Sequence, residues 1–217
     1  MGRTPPAARS RRSYDQYCAA ARALDAVGDR WTLLIVRELL TGPRRYTDLH
    51  ADLPGVSTDV LASRLKDMER EGLTTRRRLP PPSAAYVYEL SERGRELLPV
   101  LQALATWGAP ALEERGQTDA VRAHWFALPL LRVLTGLGAE GVVQVRLDEG
   151  EFHVRVGGAA ESYGDGPAAE APDALLTLDA ETCVAVGRGA LTVAEGVRAG
   201  RIEVSGESVL AKALRAG

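Results

Sequence analysis

The chain has 217 residues, 45% hydrophobic and 26% charged, and a formal net charge of −2 at pH 7. This composition is typical of a globular protein with one or two domains, and no apolar run approaches the ~18 residues of a membrane-spanning helix. Two cysteines and three scattered histidines exclude a disulfide framework and leave no metal-ligand pattern. No cofactor is therefore expected. The N-terminus lacks the apolar segment of a signal peptide, which predicts a cytoplasmic protein.

The charge is unevenly distributed along the chain. Residues 1–115 carry 18 Lys and Arg against 15 Asp and Glu, a net of +3. Residues 116–217 carry 9 against 14, a net of −5. Two halves of opposite sign predict two modules with different partners.

The first segments are predicted to be an arm and three helices. Residues 1–13, rich in Arg, Pro and Ala, are expected to form a flexible arm. An Ala-rich helix covers residues 17–27, and Asp29 is expected to cap a second helix. The core-facing stripe of that helix is Trp31, Leu34, Ile35 and Leu39. Gly42 and Pro43 end it, and a short helix follows at residues 46–50.

The next helix has one apolar and one polar face. Ser57 is its predicted N-cap, and it runs to about residue 71, before Gly72. One face carries Leu61, Leu65 and Met68. The opposite face carries Asp59, Ser63, Lys66 and Arg70, with Thr58 exposed in the first turn.

A hairpin and a last helix complete the first module. "LTTRRRL" and "AYVYEL" are predicted strands, and the prolines between them belong in the loop because proline cannot join a sheet ladder. Ser91 and Gly94 are expected to open one helix with an apolar stripe that includes Leu97, Leu101, Leu104 and Trp107. We expect Trp31 and Trp107 to lie in the core.

Helices followed by a hairpin, with a polar face on the helix before that hairpin, form the winged helix-turn-helix order, in which the polar helix face enters the major groove. The predicted DNA-binding residues are Arg45, Ser57, Thr58, Asp59, Ser63, Arg64, Lys66, Arg76, Arg77 and Arg78. Arginines of the hairpin would neutralise phosphates; the alternative is a merely solvated strand face. Arg64 has an equal alternative, which is to hold the helix to a neighbouring acid.

These residues carry a family resemblance. The segment 14–108 resembles HxlR-type winged-helix transcriptional regulators, through Gly28-Asp29-Arg30-Trp31, the helix from Ser57, the proline-tipped wing and Trp107-Gly108. Tyr46 departs from the Phe that is usual in the family. The resemblance implies double-stranded DNA as a partner and a homodimer that uses the first and last helices, with Leu97, Leu101 and Leu104 at the interface.

Cys18 has two interpretations. In related regulators a cysteine at this place can sense oxidants, and Arg22 one turn later would lower the pKa of the thiol. The alternative is a small, buried helix residue. Cys183 lies in the other module on a predicted core helix.

After a linker at residues 109–120 the pattern changes. "VVQVRLDEGEFHVRVGG" predicts two strands joined by a tight turn, and "ALLTLDA" predicts a strand that leads into a helix capped by Asp179. Another helix, the strand "RIEVSG" and a closing helix follow. Residues 120–217 thus predict an α+β module.

This module resembles a sterol carrier protein type two domain in its order of elements, its Gly-x-Leu-Thr segment and its terminal helix. The resemblance implies an α/β sandwich with an apolar tunnel for a hydrophobic small-molecule effector. Trp125, Phe126, Leu130 and Leu134 are the predicted pocket residues, together with Leu131; an ordinary core is the equal alternative. No nucleophile–base set or paired acids appear, so no enzyme activity is expected.

The sequence therefore predicts an α+β chain with a winged helix-turn-helix domain at residues 14–115 and a sterol-carrier-like domain at residues 120–217. The predicted function is a homodimeric, sequence-specific transcriptional regulator controlled by a hydrophobic effector, with no membrane partner. Two alternatives stay open: thiol sensing through Cys18, and a hydrophobic-ligand carrier in which the winged helix only dimerises.

Overall fold

The protein is described from a computed structural model that covers residues 13–112, 116, 118–157 and 162–216. The predicted arm, except for its last residue, and residues 113–115 and 117 of the predicted linker lie outside this range. The N-terminal elements are α1 (Ala19–Val27), α2 (Thr32–Leu40), β1 (Arg44–Arg45), α3 (Tyr46–Asp52), α4 (Thr58–Arg70), β2 (Thr74–Arg78), β3 (Tyr86–Leu90), α5 (Glu92–Arg95) and α6 (Leu98–Gly108).

The C-terminal elements follow two short 3₁₀ helices, at Ala109–Ala111 and Ala123–Phe126. They are α7 (Ala127–Thr135), β4 (Gly141–Leu147), β5 (Gly150–Val156), β6 (Ser162–Asp165), β7 (Ala174–Leu178), α8 (Ala180–Gly187), α9 (Val193–Arg198), β8 (Ile202–Ser205) and α10 (Val209–Ala216). The predicted elements appear in the predicted order, with three differences: β1 and β6 were not predicted, and the predicted last helix of the first module is two helices. The short sequence "SYGD" of β6 has no hydrophobic alternation.

The hairpin forms a wing with the predicted loop. β2 and β3 pair antiparallel, with Arg76 opposite Tyr88 and Arg78 opposite Tyr86. The prolines lie in the connecting loop, which a backbone hydrogen bond of 2.7 Å from Leu79 to Ala85 closes. β1 adds to the other edge of β3, so the strands of this sheet within the described residues lie in the order β1-β3-β2.

The predicted last helix is broken into α5 and α6. Ser91 caps α5 by accepting a hydrogen bond from the Gly94 N–H at 3.0 Å, as the sequence indicates. Pro99 then lies in the first turn of α6. Because proline has no N–H and its ring crowds the preceding turn, a continuous helix cannot pass through it.

Two predictions in the first helices are wrong. Asp29 does not cap α2, which begins after Trp31 without a side-chain cap; the carboxylate of Asp29 instead pairs with Arg64. The first helix begins at Ala19, so Tyr17 lies outside it and is exposed.

Of the two tryptophans predicted in the core, Trp31 is partly buried against it. The prediction for Trp107 is wrong, since its side chain is 83% exposed in the single chain. The position of Trp107 on α6 places it away from α2 and α7, the elements that α6 contacts.

In the second domain, the strands of the described residues form a mixed sheet in the order β6-β5-β4-β7-β8. β4 and β7 are parallel, and their other neighbours pair antiparallel. One face of this sheet is apolar and buried, with Val143, Val145, Phe152, Val154, Ala174 and Leu176. The predicted cap at Asp179 is confirmed, because its carboxylate accepts from the Thr182 N–H at 2.6 Å.

Gly94 provides a test of how tightly the wing packs on α5. A Cβ at this position would overlap the carbonyl oxygen of Leu73 and touch Leu90. We expect Gly94→Ala to lower the free energy of unfolding by about 1–3 kcal/mol, the usual cost of overpacking, measured by urea denaturation. Gly108→Ala is the control, because a Cβ there meets nothing within 4 Å. An equal loss in both variants would contradict this packing.

Candidate nucleic-acid interface

The outer face of α4 is open to solvent. The inner face of α4 carries Leu61, Leu65 and Met68, which are fully buried against the N-terminal core. The side chains predicted to read DNA lie on the exposed side: Ser57, Thr58, Asp59, Ser63 and Lys66. A helix with one exposed polar face fits the major groove, where hydroxyl, carboxylate and amine groups can reach base edges.

The first turn of α4 is held in place from two sides. The Ser57 hydroxyl accepts a hydrogen bond from the Val60 N–H at 3.3 Å, which is the predicted N-cap. The Tyr46 hydroxyl, at the start of α3, donates to the Thr58 carbonyl at 2.7 Å. Sequence reasoning did not find this second contact. It gives the hydroxyl that distinguishes Tyr46 from Phe a specific role in orienting the first turn of α4.

Arg64 does not belong to the exposed face. Its guanidinium pairs with Asp29, which precedes α2, and with Asp67 one turn along α4 at 3.2 Å. Its side chain is largely buried. Of the two alternatives drawn from the sequence, the structure favours the one in which Arg64 holds α4 to a neighbouring acid, and the DNA-contact prediction is corrected.

The three wing arginines have different surroundings although all are exposed. Arg77 pairs with Glu89 on the neighbouring strand at 3.2 Å, so its charge is largely compensated. Arg76 stacks over Tyr86 with its guanidinium carbon 4.1 Å from the ring centroid, a contact that keeps the cation. Arg78 makes one contact of 3.4 Å to the Ala84 carbonyl.

Side-chain alternation along β2 places Arg76 and Arg78 on one face of the wing and Arg77 on the other. Arg45 supports the wing, because its guanidinium donates to the Ser83 hydroxyl at 3.0 Å. Among the residues that the structure describes, no acid pairs with Arg76 or Arg78, so the wing offers two uncompensated cations on one face.

Cys18 occupies the residue before α1 and is exposed, so the buried alternative is wrong. The backbone N–H groups of Ala21 and Ala20 at the N-terminus of α1 lower the pKa of the Cys18 thiol. The thiol lies near these groups but does not cap the helix with a hydrogen bond. Arg22, the predicted cause, is paired with Asp25 at 3.6 Å. Burial raises the pKa of the Cys183 thiol.

The outward ridge of α6 differs from the predicted dimer stripe. Leu101 is buried in the core of its own domain, and Leu97 is packed against it. Leu104 is 43% exposed and lies on the same side as Val100 and Trp107, at the i, i+4, i+7 spacing of one helix face. Only one of the three predicted residues is thus on the open ridge, and the sequence missed its two neighbours.

The predicted pocket residues occupy two environments. Leu130, Leu131 and Leu134 are fully buried on α7, where they pack as core. Phe126 and Trp125 are partly buried, and the Trp125 indole N–H donates to Glu38 of α2 at 2.9 Å. Trp125 is therefore a contact between the two domains.

In the part of the chain that the structure describes, no group of three or more His, Cys, Asp or Glu side chains is arranged to hold a metal ion. Within the same ranges, none of the helices combines the length and hydropathy needed to span a bilayer.

A helical scaffold with an exposed polar helix and an adjacent arginine-bearing hairpin defines a winged helix-turn-helix protein. The family model described as HxlR-like helix-turn-helix matches residues 26–116. The uncharacterized HTH-type transcriptional regulator YvaP of Bacillus subtilis is 37% identical over 86 residues, which are 40% of this chain and 80% of YvaP. The chain belongs to the HxlR-like helix-turn-helix family of transcriptional regulators.

A second relative is the HTH-type transcriptional regulator YodB of Bacillus subtilis, 34% identical over 85 residues, which are 39% of this chain and 76% of YodB. The solved structure of its reduced form covers 46% of this chain and 100% of that chain, with 30% identity and a TM-score of 0.40. These relatives are transcriptional regulators, a class of DNA-binding proteins rather than of enzymes.

The exposed thiol can be tested by alkylation. In a Cys183→Ser variant, we expect iodoacetamide to modify Cys18 with a pH midpoint below the value of about 8.5 of an ordinary thiol, because the lowered pKa supplies thiolate at lower pH. The Cys18→Ser variant is the control, and its buried Cys183 should react only after denaturation. A midpoint equal to that of free glutathione would contradict the helix effect.

Proposed function

We propose that the chain is a homodimeric, sequence-specific DNA-binding regulator in which α4 reads bases and the wing grips phosphates. The observation that carries the proposal is the exposed polar face of α4 beside a wing with two uncompensated arginines. The proposed base-reading side chains are Thr58, Asp59 and Ser63, because a carboxylate accepts from cytosine and a Thr methyl contacts thymine. Arg45, Lys66, Arg76 and Arg78 would contact the backbone, which gives affinity and register.

The proposed dimer uses the ridge of Val100, Leu104 and Trp107 on α6. An exposed tryptophan flanked by two aliphatic side chains is the kind of anchor that interface cores contain. Burying this ridge against its copy would remove an apolar surface from water on both protomers. A dimer would also place two α4 helices against two half-sites of the DNA.

The C-terminal domain is proposed to bind a hydrophobic small molecule between its helices and its apolar sheet face. Such a ligand alters DNA affinity only if it binds one arrangement of the protein better than another. Native mass spectrometry of freshly purified protein tests this part, because a bound effector would appear as extra mass. If saturating ligand left DNA affinity unchanged, control by the ligand would be excluded.

Thiol sensing through Cys18 is the second candidate, and the exposure and lowered pKa of the thiol favour it. Treating wild type and Cys18→Ser with the oxidant diamide separates the candidates, since only a thiol switch would lose its response in the variant. The remaining alternative is a hydrophobic-ligand carrier in which the winged helix only dimerises, and such a protein would not need exposed arginines on the wing.

The wing arginines give a matched test of phosphate contact. We expect the Arg76→Ala/Arg78→Ala pair to weaken binding to every DNA sequence and to make the salt dependence of log Kd shallower by about 1 per arginine. Fluorescence anisotropy at several salt concentrations measures both effects. The matched control is Arg77→Ala, which removes a cation that Glu89 already compensates and should have a smaller effect. Equal effects of the two sets of substitutions would contradict the division of roles. If neither set changed DNA binding, the carrier alternative would be favoured.

The dimer ridge can be tested with a single charge. We expect Trp107→Glu to weaken dimerisation at least about 30-fold, since truncating an interface anchor typically costs ~2 kcal/mol. Sedimentation velocity over a dilution series measures the dissociation constant. Val209→Glu is the control, since Val209 is an exposed apolar residue of the other domain. A wild-type monomer at micromolar concentration would rule out the dimer.

A further inference from the structure

A buried carboxylate joins the two domains. Glu38 lies on α2 of the winged-helix domain, and its side chain is 0% exposed. Its Oε2 lies 2.6 Å from the His124 Nε2, and its Oε1 accepts from the Trp125 indole at 2.9 Å. Both partners come from the 3₁₀ helix that begins the C-terminal domain. Arg37 also donates to Oε1 at 2.7 Å and stacks 4.2 Å from the Trp125 ring centroid.

His124 lies between two carboxylates from different domains. Its side chain is 2% exposed, and its Nδ1 is 3.2 Å from Asp165 Oδ1 on β6. Each ring nitrogen of His124 therefore faces a carboxylate oxygen. Burial alone would raise the pKa of Glu38, but the hydrogen bond from His124 and the charge of Arg37 hold that pKa below its usual value.

The chain of contacts continues to β1 and α3. Asp165 Oδ2 accepts from Arg44 of β1 at 2.9 Å, and Arg44 also donates to the Thr41 hydroxyl at 2.9 Å. The same guanidinium lies 3.8 Å from Asp52 at the end of α3. Despite burial, which acts in the opposite direction, Arg44 and His124 lower the pKa of Asp165. The contacts therefore run without a break from Glu38 of α2 through His124, Asp165 and Arg44 to Asp52 of α3.

Arg122 makes a second connection from the C-terminal domain to the same helix. Its guanidinium lies 3.3 Å from Asp52 and donates to the Ala51 carbonyl at 3.1 Å. A further contact crosses nearby, where the Tyr163 hydroxyl donates to the Arg37 carbonyl at 3.1 Å.

The elements that the C-terminal domain contacts, β1 and α3, also support the wing and α4. β1 pairs with β3 of the wing, with Arg44 opposite Tyr88. α3 leads into α4, and Tyr46 at its start bonds the first turn of α4. The C-terminal domain therefore contacts the elements that support the wing and α4, and leaves the exposed face of α4 open.

Buried ion pairs are rarely the most stable way to fill an interface, because their desolvation offsets much of their attraction. They do select geometry, since any displacement leaves buried charges without partners. An interface built around Glu38 and His124 would thus have a seated state with all groups paired, and separation of the domains would expose these groups to water. An element with two such states is what a regulated protein requires.

We propose that Glu38, His124, Asp165 and Arg44, which we call the domain latch, make operator affinity depend on the seating of the C-terminal domain. When the latch is closed, α2, β1 and α3 hold α4 and the wing in one relative position, which reduces the ordering cost of binding DNA. When it opens, that position is lost and affinity falls. The inference rests on the proposed DNA-binding function and names the place where its regulation acts.

The test uses the full chain with Asp165→Asn and His124→Gln. The side chain of Asp165 is partly exposed, so we expect Asp165→Asn to fold even if His124→Gln does not. The control is Arg155→Gln, which removes the pair with Glu170 on the far side of the same sheet. The DNA probes are a duplex that wild type selects from a random library and a mixed-sequence duplex of equal length.

We expect both latch variants to lose amide-exchange protection in α2 and in the 3₁₀ helix Ala123–Phe126. They should also bind the selected duplex about tenfold more weakly, within the usual range of coupling between sites. Affinity for the mixed-sequence duplex should change less, because phosphate contacts dominate it. A purely structural loss would weaken both duplexes equally. The control should match wild type in each measurement.

Three results would overturn the latch: unchanged exchange protection at the interface, lost protection with affinity for the selected duplex within twofold of wild type, or equal weakening on both duplexes. A wild-type protein that enriches no duplex would instead contradict the proposed DNA-binding function. The two failures are therefore distinguishable in one set of measurements.

Discussion

A carboxylate removed from water constrains how the two domains of this protein fit together. Glu38 is fully buried, and an ionised carboxylate in such a place is tolerated only when donors surround it. Arg37 supplies donors from the same helix, whereas His124 and Trp125 come from the other domain. Neither domain satisfies this group alone. The winged-helix core and the C-terminal domain consequently depend on each other, and their buried apolar residues form one continuous cluster.

The surface proposed to read DNA is built mostly from local contacts on that scaffold. The Ser57 cap, the Leu61–Leu65–Met68 face and the β2–β3 pairing each involve residues close in the chain. Longer contacts then orient these parts: Arg64 ties α4 to the residue that precedes α2, and Arg45 ties β1 to the wing loop. Some arginines, such as Arg64, are thus paired with acids inside the protein, whereas others, such as Arg76 and Arg78, are exposed to solvent. That division decides which cations are available to phosphate.

Sequence patterns predicted the elements well and the fate of individual side chains poorly. The helical periodicity of α4, the proline-rich loop and the cap at Asp179 are short-range features, and the structure reproduces them. The apolar stripe of the last helix was read as one surface. Leu101 and Trp107 lie on the same helix α6, but they are six residues apart and point roughly 120° apart around its axis. Leu101 therefore lies in the core while Trp107 is exposed. Periodicity identifies an apolar face without saying whether the same chain or another one covers it.

The sequence by itself determined the winged helix-turn-helix order, the polar face of α4, the arginine-bearing wing and the strand and helix order of the second module, because these follow from residues a few positions apart. Only the tertiary structure decided the partner of each charged group. His124 and Glu38 are 86 positions apart, and Arg44 and Asp165 are 121 apart. Such pairs have no local signal, since any arginine or histidine can pair with any acid that folding brings near. The contacts between the two domains could therefore be identified only in the tertiary structure.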